Sequence, residues 1–222
     1  MALTNFRASP IPNPPLQWDP QYMRQVIRVL EIYFNQLDSN TPNYAQSYTA
    51  DNFYGSGIHL TFPYGQFTSL TDQTAANTYT AYAVTYDQSD FLDGVTLSNS
   101  SRLNVPHAGI YKVTYSIQLK NTTNDVQDVD IWLRKNGTDI AETNSRFSLP
   151  ARKSSGSASH LIAVTPIMVQ LAANDYIQVI WKVTDVGVSI EHFPAVAASA
   201  GVTPAIPATP SAFVQVEYVS LT

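Results

Sequence analysis

The stretch DVDIWLRKNGTDIAET, Asp128 to Thr143, decides the fold class. Val129, Ile131 and Leu133 alternate with Asp130, Trp132 and Arg134, the period of a strand with one face buried. Asn136-Gly137 follows, a pair that readily takes the positive φ angles of a tight reverse turn, and a second alternating run begins after it. The spacing predicts a β-hairpin. It also sets a large aromatic among charged residues on the outward face, and what that face is for becomes the functional question.

Outward from this hairpin the same period recurs. GIYKVTYSIQLKN places Tyr111, Val113, Tyr115, Ile117 and Leu119 on one side and Lys112, Thr114, Ser116 and Gln118 on the other. HLIAVTPIMVQLAANDYIQVIWKVTD predicts two strands turning at Ala173-Asn174-Asp175, with Ile177, Val179, Trp181 and Val183 facing one way in the second. GIHLTFPYG, NTYTAYAVTY, GVTLSNSSRLNVP, VGVSIEHF and the terminal AFVQVEYVSL read as further short strands, about eight to ten in all. Ala195 to Pro210, rich in Ala and Pro, reads as a long loop. Evenly spaced strands without intervening helices predict an all-β sandwich or jelly roll.

The N-terminal part differs. Pro10, Pro12, Pro14 and Pro15 remove amide donors and fix an extended backbone, so residues 1–19 read as an arm. DPQYMRQVIRVLEIYFNQLD then offers Asp19 as N-cap and Pro20 at the first helical position, predicting a helix from about Pro20 to Asp38. Met23, Ile27, Leu30, Phe34 and Leu37 recur at the spacing of a coiled-coil seam, and Val26, Val29, Ile32 and Tyr33 widen it. A helix this short is marginal alone in water. Two readings stand open: it lies on its own domain, or copies from several chains bundle about an axis. Residues 20–43 make up this helix and a linker, and 44–222 the jelly roll.

Composition narrows the function. Charged residues make up 13% of the chain, about half the ~25% usual for soluble domains, so the surface is mostly neutral and polar. A net charge of -5 without long runs of either sign argues against a nucleic-acid groove. No cysteine is present, which removes disulfides and thiol chemistry. The opening MALTNFRASPIPNPP lacks the apolar core of a signal peptide, and no stretch of ~20 apolar residues predicts a membrane span. The expectation is a chain made and folded in a cytosol, where the sequons at Asn99, Asn121 and Asn136 have no consequence.

No catalytic set emerges. His59, His107, His160 and His192 form no H-x-H or H-x-x-x-H pair, and Asp125, Asp128 and Asp130 lack the glycine and closing glutamate of a calcium loop. SSGSAS, Ser154 to Ser159, has no strand-to-helix context for a nucleophile and reads as a mobile loop. The acidic cluster is read as a turn followed by a solvated or inter-subunit strand face, the alternative being ion pairs among Asp128, Asp130 and Arg134 across that face. No enzyme activity, cofactor or metal is expected. Trp132 has two readings, an aromatic covered by a loop of its own chain or an anchor at a subunit interface. The interface is preferred, with Asp130 and Arg134 beside it, because Val129, Ile131 and Leu133 already serve the core.

Two resemblances extend these readings. LNVPHAGIYKVTYSIQL, VDIWLRKNG and LAANDYIQVIW, in that order, resemble the trimeric jelly roll of the tumour necrosis factor and complement globular-head superfamily over about half the chain. The Pro-rich start, the PQYMRQVIRVLEIYFNQLD helix and the DVDIWLRKNGTDI phrase together resemble virion structural proteins of tailed bacteriophages of marine and cyanobacterial hosts, over almost all of it. That likeness implies a homotrimer on a phage particle, assembled in the host bacterial cytoplasm. Its arm (Phe6, Pro10, Pro12, Pro14, Pro15, Trp18) and helix would attach it to the major capsid protein or another virion protein, with the jelly roll outward. With no collagen-like shaft before the domain, a short fibre or capsid decoration (cement) protein is expected. The alternative is a receptor-binding tail-fibre tip holding a host surface glycan or protein through loops such as 44–54 and 195–210. Neither a nucleic acid nor a membrane is an expected partner.

Overall fold

The computed structural model describes residues 15–37, 62–199, 201 and 204–220, with the side chains of residues 33–37 outside that description. The chain divides into two compact units, Met1–Ser56 and Gly57–Thr222.

In the first unit, helix α1 spans Pro20–Leu37, within one residue of the expected end. Asp19 caps it: the Gln21 amide donates to Asp19 Oδ1 at 2.8 Å, and the Met23 amide reaches the Asp19 carbonyl at 3.3 Å. Pro20, with no amide hydrogen, occupies the first turn where none is needed.

The described residues of the second unit hold fourteen strands, more than the sequence suggests because several are only two or three residues long. In chain order they are β1 (Tyr64–Ser69), β2 (Gln73–Thr74), β3 (Tyr82–Ala83), β4 (Gln88–Asp93), β5 (Thr96–Ser98), β6 (Arg102–Asn104) and β7 (Gly109–Asn121). There follow β8 (Gln127–Lys135), β9 (Thr138–Asp139), β10 (Ser145–Leu149), β11 (Ser159–Leu171), β12 (Tyr176–Val183), β13 (Val188–Ile190) and β14 (Ala212–Ser220). NTYTAYAVTY keeps only the two residues of β3 as strand.

Two seven-stranded antiparallel sheets make the sandwich. Sheet A runs β11, β7, then β14 and β13 end to end, then β1 and β2, then β4. Sheet B centres on β8 and β12, with β9 and β10 beyond β8, and β3, β6 and β5 beyond β12. The chain changes sheet at β2–β3, β3–β4, β4–β5, β6–β7, β7–β8, β10–β11, β11–β12 and β12–β13, the exchange that makes a jelly roll.

Alternation fills the space between the sheets. The odd-numbered residues of β7 from Tyr111 to Leu119 meet Val129, Ile131 and Leu133 of β8, and Ile177, Val179, Trp181 and Val183 of β12, all fully or nearly fully buried. Each large apolar side chain so buried is worth ~1.5–3 kcal/mol, which makes this layer the main source of stability. Gly109 begins β7 without a side chain because a Cβ there would lie 2.7 Å from the Ser220 carbonyl oxygen of β14. Tyr111 donates its hydroxyl to the His107 carbonyl at 2.9 Å, whereas the Tyr86 and Tyr115 hydroxyls and Trp181 Nε1 have no hydrogen-bond partner among the described residues.

Two connections differ from the sequence reading. SSGSAS is a closed turn, with Ser154 and Ser157 exchanging backbone hydrogen bonds, and Ser159 is already a buried residue of β11. The Ala/Pro-rich segment is a ribbon: Phe193 and Thr209, and Val196 and Ile206, exchange backbone hydrogen bonds of 2.8–3.0 Å. Prolines suppress pairing at most positions, and an extended chain of threefold period brings every third residue back to the same side. Contacts therefore recur at intervals of three.

Candidate functional site

The outer face of sheet B gathers the charges and the exposed-side aromatic of the hairpin. Strand β8 turns into β9 through Asn136 (φ 48°) and Gly137 (φ 83°), the two left-handed residues of a type I′ turn. The Asn136 side chain latches this turn to the next one. Its Nδ2 donates to Asp175 Oδ1 at 2.7 Å, and its Oδ1 accepts the Tyr176 amide at 3.0 Å. Burial pushes the Asp175 carboxyl up, but bonds from the Ala172 amide and Asn136 outweigh it and leave the pKa below its ordinary value.

The hairpin register sets Asp139 directly across from Arg134. Asp139 Oδ1 accepts from Arg134 Nε at 2.6 Å and from Trp132 Nε1 at 2.8 Å, and these two bonds, Arg134's the stronger, hold the carboxyl below its usual range. On the other side of β8, β10 sets Arg146 across from Asp130. Arg146 grips both oxygens of Asp130 through Nε (2.9 Å) and Nη2 (3.0 Å), and Asn144 adds a third bond at 3.2 Å. The Arg146 hydrogen bond is the main reason that the Asp130 pKa is lowered. Ser148 donates to Asp128 Oδ1 at 2.6 Å.

Asp130, Trp132 and Arg134 thus lie on one face as expected, but the alternative of ion pairs among Asp128, Asp130 and Arg134 themselves is not what forms. Residues four apart on a strand are ~13 Å apart at ~3.3 Å per residue. Cross-strand neighbours win instead, and these depend on register. Asp139 is placed by the two-residue turn, whereas Arg146 carries no mark in the local sequence.

Between the hairpin and the β9–β10 connection lies an open cleft of about 370 Å³. Trp132, Ile140 and Ala141 give it an apolar wall, and Asp130, Asp139, Glu142, Asn144 and Lys182 give it a polar rim. Trp132 is half-buried and lies opposite Ile180 of β12, which is fully buried although it points away from the core. Glu142 stands at φ 64° in the connection. Asp130 and Asp139 are both held ionised by arginines, the wrong state for donating a proton at neutral pH. An indole wall with a fixed polar rim suits adhesion to a ring-shaped neutral ligand.

The other sequence candidates are dispersed. In α1, Met23, Ile27 and Leu30 are 36%, 49% and 39% exposed, while the side chains of Phe34 and Leu37 lie outside the described residues. Of the arm, Pro15 and Trp18 are exposed, and Phe6, Pro10, Pro12 and Pro14 lie outside the described residues. So do His59 and the loop 44–54. His160 sits on sheet A with Nε2 2.7 Å from Glu191 Oε2, beside Lys120, which pairs with the same carboxylate. No group of three metal-ligating side chains occurs among the described residues. No helix among them is long and apolar enough to cross a membrane.

No protein-family model matches the chain, and no curated protein is significantly similar to it.

Proposed function

We propose that this chain is a self-assembling structural protein of a bacteriophage virion, a trimeric short fibre or capsid decoration protein without enzyme activity. Its N-terminal arm and helix hold it to another virion protein, and its jelly roll projects. The virion assignment rests on the resemblance of the arm, helix and hairpin phrase to phage structural proteins. The assembly rests on one observation: α1 leaves Met23, Ile27 and Leu30 uncovered along one seam. A helix of 18 residues is about 27 Å long at 1.5 Å per residue, and such a helix needs packing to be stable in water. Three copies sharing the seam supply that packing to one another.

The test is sedimentation of the full chain across a dilution series. Trimer is expected for the native sequence and monomer for the Ile27→Asp, Leu30→Asp double variant, with the β-sheet circular dichroism unchanged in both. A native chain that sediments as monomer at high concentration overturns the assembly. For the virion role, deleting residues 1–18 is expected to leave a folded trimer that no longer joins particles.

The cleft beside Trp132 favours a second reading, a receptor-binding tail tip that adsorbs to a host surface glycan. Imaging of labelled particles separates the two: many copies over the head fit decoration, a few at the tail fit adsorption.

A further inference from the structure

The walls of the cleft beside Trp132 are fastened before any ligand arrives. Thr143, buried in the β9–β10 connection, accepts the Leu133 amide at 3.1 Å and donates its hydroxyl to the Ile140 carbonyl at 2.8 Å, and the Ile140 amide reaches the Leu133 carbonyl at 2.9 Å. The β8 side is equally fixed, because Arg134 and Trp132 hold Asp139 and Arg146 holds Asp130. A cleft built this way loses little ordering entropy on binding. Its volume of about 370 Å³ falls near the lower end of small-ligand sites, ~300–1,000 Å³.

These fixing bonds leave a particular set of polar atoms open. Asp139 Oδ1 already accepts twice, from Arg134 Nε and Trp132 Nε1, whereas Oδ2 has no partner among the described residues. Glu142 makes no hydrogen bond or ion pair among them, and Asn144 is engaged only through Nδ2, which leaves its Oδ1 open. Lys182 of β12 lies opposite Asp130, but Arg146 has taken that carboxylate, and the ammonium has no hydrogen bond among the described residues. Open acceptors thus outnumber open donors around the apolar wall of Trp132 and Ile140.

Charge narrows the ligand further. The two arginines are neutralised by the two aspartates they hold, and the charges that stay open at the rim, Glu142 and Lys182, are one of each sign. The rim has no net charge with which to hold an ion. What matches it is an uncharged ring with a hydrocarbon face for the indole and hydroxyl groups at its edge, which donate to Asp139 Oδ2, Glu142 and Asn144 Oδ1 and accept from Lys182. A pyranose is built this way.

We propose that the cleft binds a neutral hexopyranose unit of a surface glycan and rejects acidic sugars. The proposal rests on the adsorption reading of this cleft and names the class of sugar. A carboxylate at C6 in place of the hydroxymethyl group sets acceptor against acceptor. It has no proton to give Asp139 or Glu142, and it meets like charge at both.

The test is saturation-transfer NMR on the full-length chain with the methyl glycosides of glucose, galactose and mannose, each beside its uronic-acid counterpart. At least one neutral glycoside is expected to receive saturation, strongest on its ring C–H protons, and its uronate to bind roughly tenfold more weakly or worse. Trp132→Ala is expected to abolish the signal. Glu142 is exposed and unpaired among the described residues, so Glu142→Lys is expected to keep the fold, checked by circular dichroism, and to raise uronate affinity to that of the neutral sugar. A native protein that binds the uronate as tightly as the neutral glycoside, or a Glu142→Lys variant that still rejects it, overturns the neutral-sugar specificity and leaves glycan adsorption standing. Binding that survives Trp132→Ala in a folded variant overturns the assignment to this cleft. If none of these glycosides binds, the adsorption reading of the cleft falls as well.

Discussion

The two outer faces of the sandwich manage their exposed side chains in opposite ways. On sheet B, polar groups are matched within the chain: Arg134 and Trp132 share Asp139, Arg146 holds Asp130, and Ser148 meets Asp128. On sheet A, Ile162, Val164, Met168 and Phe91 stand uncovered near the edges. A face that satisfies its own groups stabilises the protomer. A face that leaves apolar groups wet adds little to the protomer.

The largest effect that tests this contrast is Trp132→Ala. Removing the indole uncovers Ile180 and frees Asp139, so unfolding stability is expected to fall by about 2 kcal/mol, roughly half the cost of truncating a fully buried Trp. The loss should not depend on protein concentration in denaturant titrations. A loss that grows on dilution would place Trp132 at a subunit interface, the reading its sequence context favours.

Asp139→Asn comes next. The carboxylate is half exposed, so solvent screening limits the expected loss to about 1 kcal/mol at pH 7. Its pKa is lower folded than unfolded. The stabilisation is therefore complete above the unfolded value, ~3.9, and disappears as pH falls through the lower folded value. Melting temperatures of the variant and the native protein should converge below that range, and a gap of constant size down to strong acid would remove the ionic explanation. The smallest effect is expected on sheet A: Val164→Thr should change protomer stability by no more than ~0.5 kcal/mol. A protomer loss of several kcal/mol would show that β11 is covered by its own chain.

Much of the sandwich is legible in the sequence, because alternation and turn chemistry act locally. Asn136-Gly137 announces its own φ angles, and Asp19-Pro20 announces where α1 begins. The edges are less legible for a physical reason. In HLIAVTPIMVQL the inward set (Leu161, Ala163, Ile167, Val169) and the outward set (Ile162, Val164, Met168) are both apolar, so the run reads as a strand buried on both sides. Of the candidate site, Trp132 and Asp130 are visible as outward residues of β8. Asp139 follows from the two-residue turn, which sets it opposite Arg134, whereas Arg146 is not visible, because only pairing with β10 brings it opposite Asp130. The threefold ribbon is hidden for the same reason, since its two halves must meet before the period has meaning.

The pairing of Ala212 with Ile117 and of Val216 with Val113 has a consequence for biosynthesis. Nearly a hundred residues separate β7 from the neighbour that covers one of its flanks, so a nascent chain emerging from the ribosome carries an unsaturated ladder until residue 220 is released. Such distant closure slows folding and prolongs exposure to aggregation. Ribosome stalling ahead of residue 212 would leave a long, sticky half-sheet, and chaperone demand should peak during translation of that interval.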